Sequence, residues 1–402
     1  FETMSDAYIE PELPLAQRVD FQLPEDAAKA VLAVFLRMFS RKKAIVFEST
    51  PDFADNTYAV FEQMMKLGIG RRYHMVWSCS KSDTLPAPYG QVRYIYPLDK
   101  SFRERLRNAY YMANADCMIC CNRFLKPWLK KQTAFYLTHG APIKSVGGYF
   151  NMPASIHYCL SPSPWLVDVT AQELKVDKSK MFALGYPRND VLTKPAPDVK
   201  QMLGTPCQKV IIWYPTFRQH KEKAGISCGN AMPIIHDTEA AVQLNDWARQ
   251  MDVLLVMKPH FAQDLSYVKD LELSNICFID DSFFRKHNTS SYEFVAGCDA
   301  MLTDYSSIYF DYLLCNKPVG LIWEDIDQYR TNPGFAVDMD EIGKGASVIY
   351  DLEQFKEFIR QVACNEDPHS QERNALCDLV NYSRDGKNAR RVTMFIFDKA
   401  KL

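Results

Sequence analysis

Short runs of β-branched and apolar residues alternate with stretches whose apolar positions recur at helical spacing over almost the whole chain. That alternation predicts βαβ units built around parallel sheets. In the first half, residues 44–47 read as a strand, followed by a loop and an amphipathic helix near 56–67. Further strands are predicted at 73–76, 92–95, 117–120 and 134–137, and the half closes near 181–183. Between Asp190 and Gln208 the chain turns to Lys, Pro and Gly, which breaks both periodicities and predicts a linker. A second series then begins, with strands at 210–213, 253–256, 276–278, 300–303, 319–322 and 348–350, a helix near 238–250 and another from Ser307. From Leu352 onward the chain is mostly helical and charged. The pattern therefore predicts an N-terminal extension with a helix over 1–43, a first Rossmann-like domain over 44–195, a second over 205–385, and a C-terminal helix over 386–402. Two doubly wound sheets facing each other across a cleft would place ligands at the carboxyl ends of their strands.

Composition narrows the classes. The chain has 402 residues, with Lys+Arg 47 against Asp+Glu 49 and a formal net charge of -2. No overall field recruits nucleic acid, so none is expected as a partner, and any basic surface must be local. No apolar run approaches the roughly 18 residues that span a bilayer. The run Ala30 to Leu36, closed by Lys29 and Arg37, fits a helix packed on the core or one lying on a membrane surface. Phe1-Glu2-Thr3 ahead of Met4 read as an addition, and no charged-apolar-small leader follows. A cytoplasmic protein is the expectation, and its 12 Cys then act as reduced, small hydrophobes. Cys117, Cys120 and Cys121 lack the second ligand pair that a zinc site needs and are expected in a buried strand.

Chemistry is expected on strand-to-helix loops. The dinucleotide fingerprint GxGxxG is missing, because Gly68-Ile-Gly70 has no third glycine and follows a helix. His139 follows an apolar strand and precedes Gly140; it can be a general base with Lys144 holding a phosphate, or a structural His bonded to its loop. Lys258-Pro259-His260 repeats that logic after a second strand, where a Lys and a His suit a pyrophosphate oxygen that gains charge, or merely form a solvated turn. Thr303-Asp304-Tyr305-Ser306-Ser307 runs from a strand into a helix start, where hydroxyls, backbone N–H groups and the helix dipole favour an anion. Thr216 and Arg218 follow a further strand, and the Arg fork matches phosphate. Arg188 and Asp190 are expected to pair across their turn in a mainly architectural role. Asp325-Ile326-Asp327 has the form of a divalent-ion site, but a lone DxD is a weak signal in a chain with this many acids.

Taken together, these loops resemble the CDP-glycerol glycerophosphotransferases, bacterial enzymes that prime and polymerise wall teichoic acids and related phosphate-linked capsules. The blocks are Ser49 through Asp55-Asn56, His139-Gly-Ala-Pro-Ile-Lys144 where the family has HGTPLK, Gly185-Tyr-Pro-Arg-Asn-Asp190, Pro215-Thr-Phe-Arg218, Lys258-Pro-His260, and Thr303 to Ser307 with Phe310-Asp311. Their order and spacing agree over residues 45 to 340. The chain departs from the family at Ala141 and Ile143, which bears on acceptor or donor-tail contacts.

The resemblance implies a GT-B fold with the CDP donor held by the second domain and the acceptor by the first. It implies His139 and His260 as catalytic residues, and Arg218, Lys258, Thr216, Thr303, Asp304, Ser306 and Ser307 as donor-binding. Lys144, Asp55 and Asn56 would serve the acceptor or its phosphate. No cofactor is required and a divalent cation is optional. The donor is CDP-glycerol or CDP-ribitol, and the acceptor a lipid-linked or polymeric hydroxyl at the inner face of the membrane. A nucleotide-sugar glycosyltransferase of the same fold, and a nucleotide-binding subunit without catalysis, are the competing expectations.

Overall fold

The computed structural model describes residues 23–38, 40, 42–80, 92–146, 150–216, 232–259, 265–268 and 270–402. The chain divides into two α/β units. The first comprises residues 1–141, 149–190 and 385–402, and the second 142–148 and 191–384.

The first unit is built on β1 (Ala44–Glu48), β2 (His74–Ser78), β3 (Val92–Ile95), β4 (Ala115–Cys120), β5 (Thr133–Tyr136), β6 (Tyr158–Ser161) and β7 (Met181–Ala183). All pairings are parallel, in the order β3-β2-β1-β4-β5-β6-β7. β1 is buried along its whole length, as expected for a central parallel strand covered by helices on both faces. Phe47 and Trp77 stack on one side of it, with Phe61 from the Asp55–Lys66 helix meeting both rings edge-on. β6 escapes the periodicity, because only four residues, Tyr-Cys-Leu-Ser, precede Pro162. Cys117, Cys120 and Cys121 are buried free thiols on or beside β4, in keeping with their use as small hydrophobes.

The second sheet is β8 (Lys209–Trp213), β9 (Val253–Met257), β10 (Ile276–Phe278), β11 (Ala300–Thr303), β12 (Val319–Ile322) and β13 (Ser347–Ile349). Its order is β10-β9-β8-β11-β12-β13, again all parallel. Each sheet is thus doubly wound. The direction of winding reverses between β1 and β4 in one and between β8 and β11 in the other, the places where open α/β sheets bind ligands.

Two details change the expected division. The last helix, Asn388–Ala400, belongs to the first unit: Phe395 stacks on Phe182 at 4.2 Å between ring centroids and meets Phe135 and Tyr158 edge-on. Asp190 fixes its start by accepting from the N–H groups of Asn388 (2.7 Å) and Ala389 (2.9 Å). Gly185 lies against that start with φ +81, and a Cβ there would come within 2.3 Å of the Asn388 amide oxygen, so only glycine fits. Residues 142–148, in turn, group with the second unit, through an antiparallel bridge from Lys144 to Phe335 and hydrogen bonds from Ala336 N to Ile143 O (2.8 Å) and from Ser145 N to Gly334 O (3.0 Å).

Candidate active site

In the first unit three loops at the carboxyl edge of the sheet are locked together by one amide. Ser49 shapes the loop after β1, its hydroxyl donating to Pro51 O (2.8 Å) and accepting from Ala54 N (3.1 Å). This delivers Asp55, with φ +63, and the buried Asn56 to the head of their helix. The Asn56 amide donates to Leu137 O (3.1 Å) and Thr138 O (3.0 Å) after β5, and its oxygen accepts from Arg188 N (3.2 Å) after β7. Thr138 takes a positive φ of 45, and its hydroxyl bonds Leu160 O (3.0 Å) and the Tyr186 hydroxyl (2.9 Å). His139 is thereby turned toward Asp55.

The result is a hydrogen-bonded chain of three buried side chains. His139 Nδ1 lies 2.6 Å from Asp55 Oδ2, and Arg188 Nη1 lies 2.7 Å from Asp55 Oδ1. The same Arg188 nitrogen donates to the His139 carbonyl, and the guanidinium stands 5.0 Å from the Tyr186 ring centroid. Burial by itself would raise the Asp55 carboxyl, but the Arg188 and His139 charges and hydrogen bonds hold it well below the usual carboxylate range. Asp55 is therefore ionised and accepts only, so the proton between the two sits on Nδ1 and Nε2 is left as the basic nitrogen. Burial lowers the His139 pKa from its ordinary value, with Asp55 opposing. The imidazole is thus neutral near pH 7, as a general base must be. Asn122, directly after β4, brings its amide nitrogen to 3.5 Å from His139 Nδ1 and accepts from Thr50 N at 2.8 Å, closing the switch point from the other side.

At the matching edge of the second unit, a buried carboxylate again organises the loops, but around backbone. Asp304 accepts from Thr216 N (2.8 Å), from the Thr216 hydroxyl and from Tyr305 N (2.6 Å). Thr303 donates to Tyr214 O (2.9 Å), while Tyr214 N donates to Leu302 O (2.9 Å). The loops after β8 and β11 are thus stitched side by side. Lys258 joins them from β9, its N–H donating to Trp213 O (3.0 Å) and its ammonium 3.2 Å from Asp281 Oδ1. Ser306 and Ser307 are half-exposed at the start of the Ile308–Tyr312 helix, and Ser307 makes no side-chain cap. Backbone N–H groups and hydroxyls there suit an anion.

The structure thus gathers His139, Asp55 and Asn56 in one unit and Thr216, Lys258, Thr303, Asp304, Ser306 and Ser307 in the other. His260 and Arg218 lie outside the described residues. Lys144, expected beside His139, is bridged to Phe335 within the second unit. Arg188 is more than an architectural turn residue, since it completes the Asp55–His139 pair while Asp190 caps the last helix. Neither Asn122 nor the Arg188 contact is announced by a motif; the one signal was Arg188 standing directly after a strand and a Gly-Tyr-Pro turn. The DxD residues diverge: Asp325 accepts from the Tyr305 hydroxyl (2.9 Å), whereas the exposed Asp327 meets Arg330. Among the described residues no group of three His, Cys, Asp or Glu side chains is placed to share a metal ion, and no helix among them is long and apolar enough to cross a membrane.

Comparison with known proteins follows this geometry. The solved wall teichoic acid polymerase TagF matches with a TM-score of 0.70 at 20% identity, covering 94% of this chain and 95% of that one; the likeness places the two units in the GT-B class. A UDP-N-acetylglucosamine 2-epimerase from Listeria monocytogenes shares the fold more distantly, with a TM-score of 0.52 at 11% identity over 90% of this chain and 97% of that one. Among sequences, a teichoic acid glycerol-phosphate transferase of Staphylococcus aureus is 24% identical over 90% of this chain and 95% of its own length. The teichoic acid poly(glycerol phosphate) polymerases of Staphylococcus epidermidis and Bacillus subtilis are 24% and 22% identical over 72% and 92% of this chain, which spans only 41% and 50% of their lengths. The family model described as CDP-Glycerol:Poly(glycerophosphate) glycerophosphotransferase matches residues 30–398, and the chain belongs to that family.

Proposed function

We propose that this protein transfers glycerol phosphate from CDP-glycerol to a hydroxyl of a lipid-linked or polymeric acceptor in the synthesis of a teichoic acid-type polymer, releasing CMP. The observation that carries the reading is the buried Arg188–Asp55–His139 chain, which holds a neutral imidazole at the carboxyl edge of a sheet with Nδ1 turned to the carboxylate. In the reaction, His139 Nε2 takes the proton of the acceptor hydroxyl. That oxygen attacks the phosphorus bearing the glycerol, the P–O bond to the CMP phosphate breaks, and a phosphodiester forms. Positioning and charge stabilisation supply most of the catalysis in phosphoryl transfer.

The second unit is proposed to bind the donor's pyrophosphate. Its Ser306/Ser307 helix start and Lys258 offer donors to the charge gathering on CMP, with His260 and Arg218 assigned to the same task by their motifs. Asp304 and Thr303 act one step back, holding the loops in shape. The enzyme is expected at the inner face of the cell membrane, where a lipid-linked acceptor is available.

The test is a donor panel of CDP-glycerol, CDP-ribitol and sugar nucleotides, scored by the nucleotide released. CMP from CDP-glycerol, together with acceptor-bound glycerol phosphate, is the expected result. CMP released from CDP-ribitol alone would move the donor to ribitol. Release of a nucleoside diphosphate with transfer of a sugar would replace the reading with a glycosyltransferase.

A further inference from the structure

Arg123 follows Asn122 directly after β4, at the switch point of the first sheet, and its side chain reaches across the ends of β1 and β2. Its Nε donates to Glu48 Oε1 (3.2 Å) and its Nη2 to Ser78 O (3.3 Å). Glu48 is the last residue of β1 and fully buried, and its Oε2 accepts from the N–H groups of Asn122 (3.2 Å) and Arg123 (2.9 Å). Three donors on one buried carboxylate fix where the guanidinium stands.

This pair is built the opposite way from Arg37–Asp116 in the same unit. There the guanidinium lies inside, 8% accessible, donating to the carbonyls of Ala113 (3.2 Å) and Ala115 (2.9 Å), and the carboxylate lies outside. At the switch point the carboxylate lies inside and the Arg123 side chain is 29% accessible. Among the described residues its Nη1 has no hydrogen-bond partner, and it is not sealed from solvent. Asp52, the other acid whose charge reaches it, accepts from Ser80 N at 2.9 Å. Arg37 is thus used by the fold, whereas Arg123 is fixed at one edge and open at the other.

We infer that Arg123 binds a phosphate of the acceptor, with Glu48 as its positioning residue. The inference rests on the proposed activity and deepens it. A guanidinium anchored through Nε offers its remaining N–H groups to a phosphate oxygen in a fixed direction. The Asn122 amide beside it is 3.5 Å from the His139 ring, so the open edge and the base belong to adjoining loops. With only β4 between β1 and β5 and about 4.8 Å between neighbouring strands, a group over the end of β1 stands within roughly 10 Å of one over β5. One polyol phosphate unit bridges such a gap, its hydroxyl at His139 and its phosphodiester at Arg123. The product has the same form. Each transfer leaves a new phosphodiester beside a new terminal hydroxyl, so the end of a growing chain carries both groups that this edge would hold.

The experiment supplies the full chain with CDP-glycerol and compares two acceptors, glycerol and glycerophosphoglycerol, the second carrying a phosphodiester next to its hydroxyls. The wild type is expected to favour the phosphodiester in kcat/KM. Arg123→Gln should raise KM for that acceptor about tenfold or more and erase the preference, with KM for CDP-glycerol unmoved. Arg123→Lys, which keeps the charge and loses the fork, should fall between. Because Arg123→Gln leaves Glu48 buried without its cation, the double variant Glu48→Gln, Arg123→Gln is measured beside it and should show the same loss. A wild type indifferent to the two acceptors would overturn the inference. So would variants that keep the wild-type preference while their urea midpoints fall, the mark of a purely structural pair. Calorimetric titration with glycerophosphoglycerol separates this inference from the proposed activity. Binding that is lost in the Arg123 variants, without turnover of any CDP-alditol, would support the phosphate site while the activity fell. CMP release from CDP-glycerol with an unchanged acceptor KM in every variant would keep the activity and overturn the site.

Discussion

Asp55 and Asp304 stand in corresponding places, each buried in a loop beside the switch point of a parallel sheet, and they are put to different uses. Asp55 accepts from the Asn56 N–H (2.6 Å), as Asp304 does from Tyr305, but its other partners are the Arg188 guanidinium and a titratable imidazole, so what it fixes is the position of a proton. Asp304 is held by two backbone N–H groups and one hydroxyl, so what it fixes is the course of the chain. On the proposed activity, the same residue type would support a reacting group in one unit and a binding surface in the other. A buried carboxylate has to be satisfied in either case; the identity of its partners tells which function the edge serves.

The contrast can be broken most directly at His139. His139→Ala should lower CMP release by about 10²–10⁴-fold, the range for loss of a general base, while calorimetry shows donor affinity nearly unchanged. Equal losses of affinity and turnover would mean that the first unit binds rather than reacts.

Asp55→Asn should be felt in stability as well as rate. It leaves the Arg188 guanidinium buried without its carboxylate, a situation that costs about 3–5 kcal/mol, read as a lower urea midpoint. It also removes the group that raises the His139 pKa, so the acid limb of the kcat profile should shift to lower pH. The signs for stability agree. Both Asp55 and His139 have folded-state pKa values below their ordinary ones. The unfolded chain therefore binds more protons than the folded one, and stability falls with acidification, first below about 6.5 for His139 and then below about 3.9 for Asp55. A wild-type protein whose stability is flat from pH 7 to pH 5 would contradict the buried neutral imidazole. Asp304→Asn should act on the other parameter, raising KM for CDP-glycerol by roughly tenfold through loosened loops, with kcat and its pH profile preserved.

How far these features could be read in advance depended on range. Most strands of both sheets and the loops after β1, β5, β8, β9 and β11 follow from periodicity, because strand-then-turn chemistry is local, whereas the short β6 and the strand order that sets the switch points do not. His139 and Asp55 could each be named, yet not as a pair. The 2.6 Å contact depends on Asn56 tying the loops after β1, β5 and β7 together, and nothing in the local sequence states that pairing. Arg188 shows the limit clearly. Its neighbour Asp190 is the obvious ionic partner by spacing, but Asp190 accepts from the amides of Asn388 and Ala389, residues that enter only because the C-terminal helix returns to the first unit. The helix at 23–38 shows a related limit: the composition of Ala30 to Leu36 marks an apolar helix, and only packing shows that Ala33 is buried while Val31, Leu32 and Val34 are exposed.

The smallest effect is expected at the motif that looked most like a metal site. Asp325 and Asp327 are two apart, yet one accepts from the buried Tyr305 hydroxyl and the other stands in solvent beside Arg330. Asp327→Ala removes a solvated i,i+3 pair of the kind that contributes little, so turnover and melting temperature should change by less than about twofold and a degree or two. Asp325→Ala should instead cost about 1 kcal/mol through the lost acceptor of Tyr305, without altering how activity responds to added magnesium or manganese. If the Asp327 variant alone lost turnover that excess manganese restored, the two carboxylates would have to converge on an ion during the reaction. The second unit would then hold a charged centre as well as a shaped loop, and the distinction between Asp55 and Asp304 would no longer separate reacting edge from binding edge.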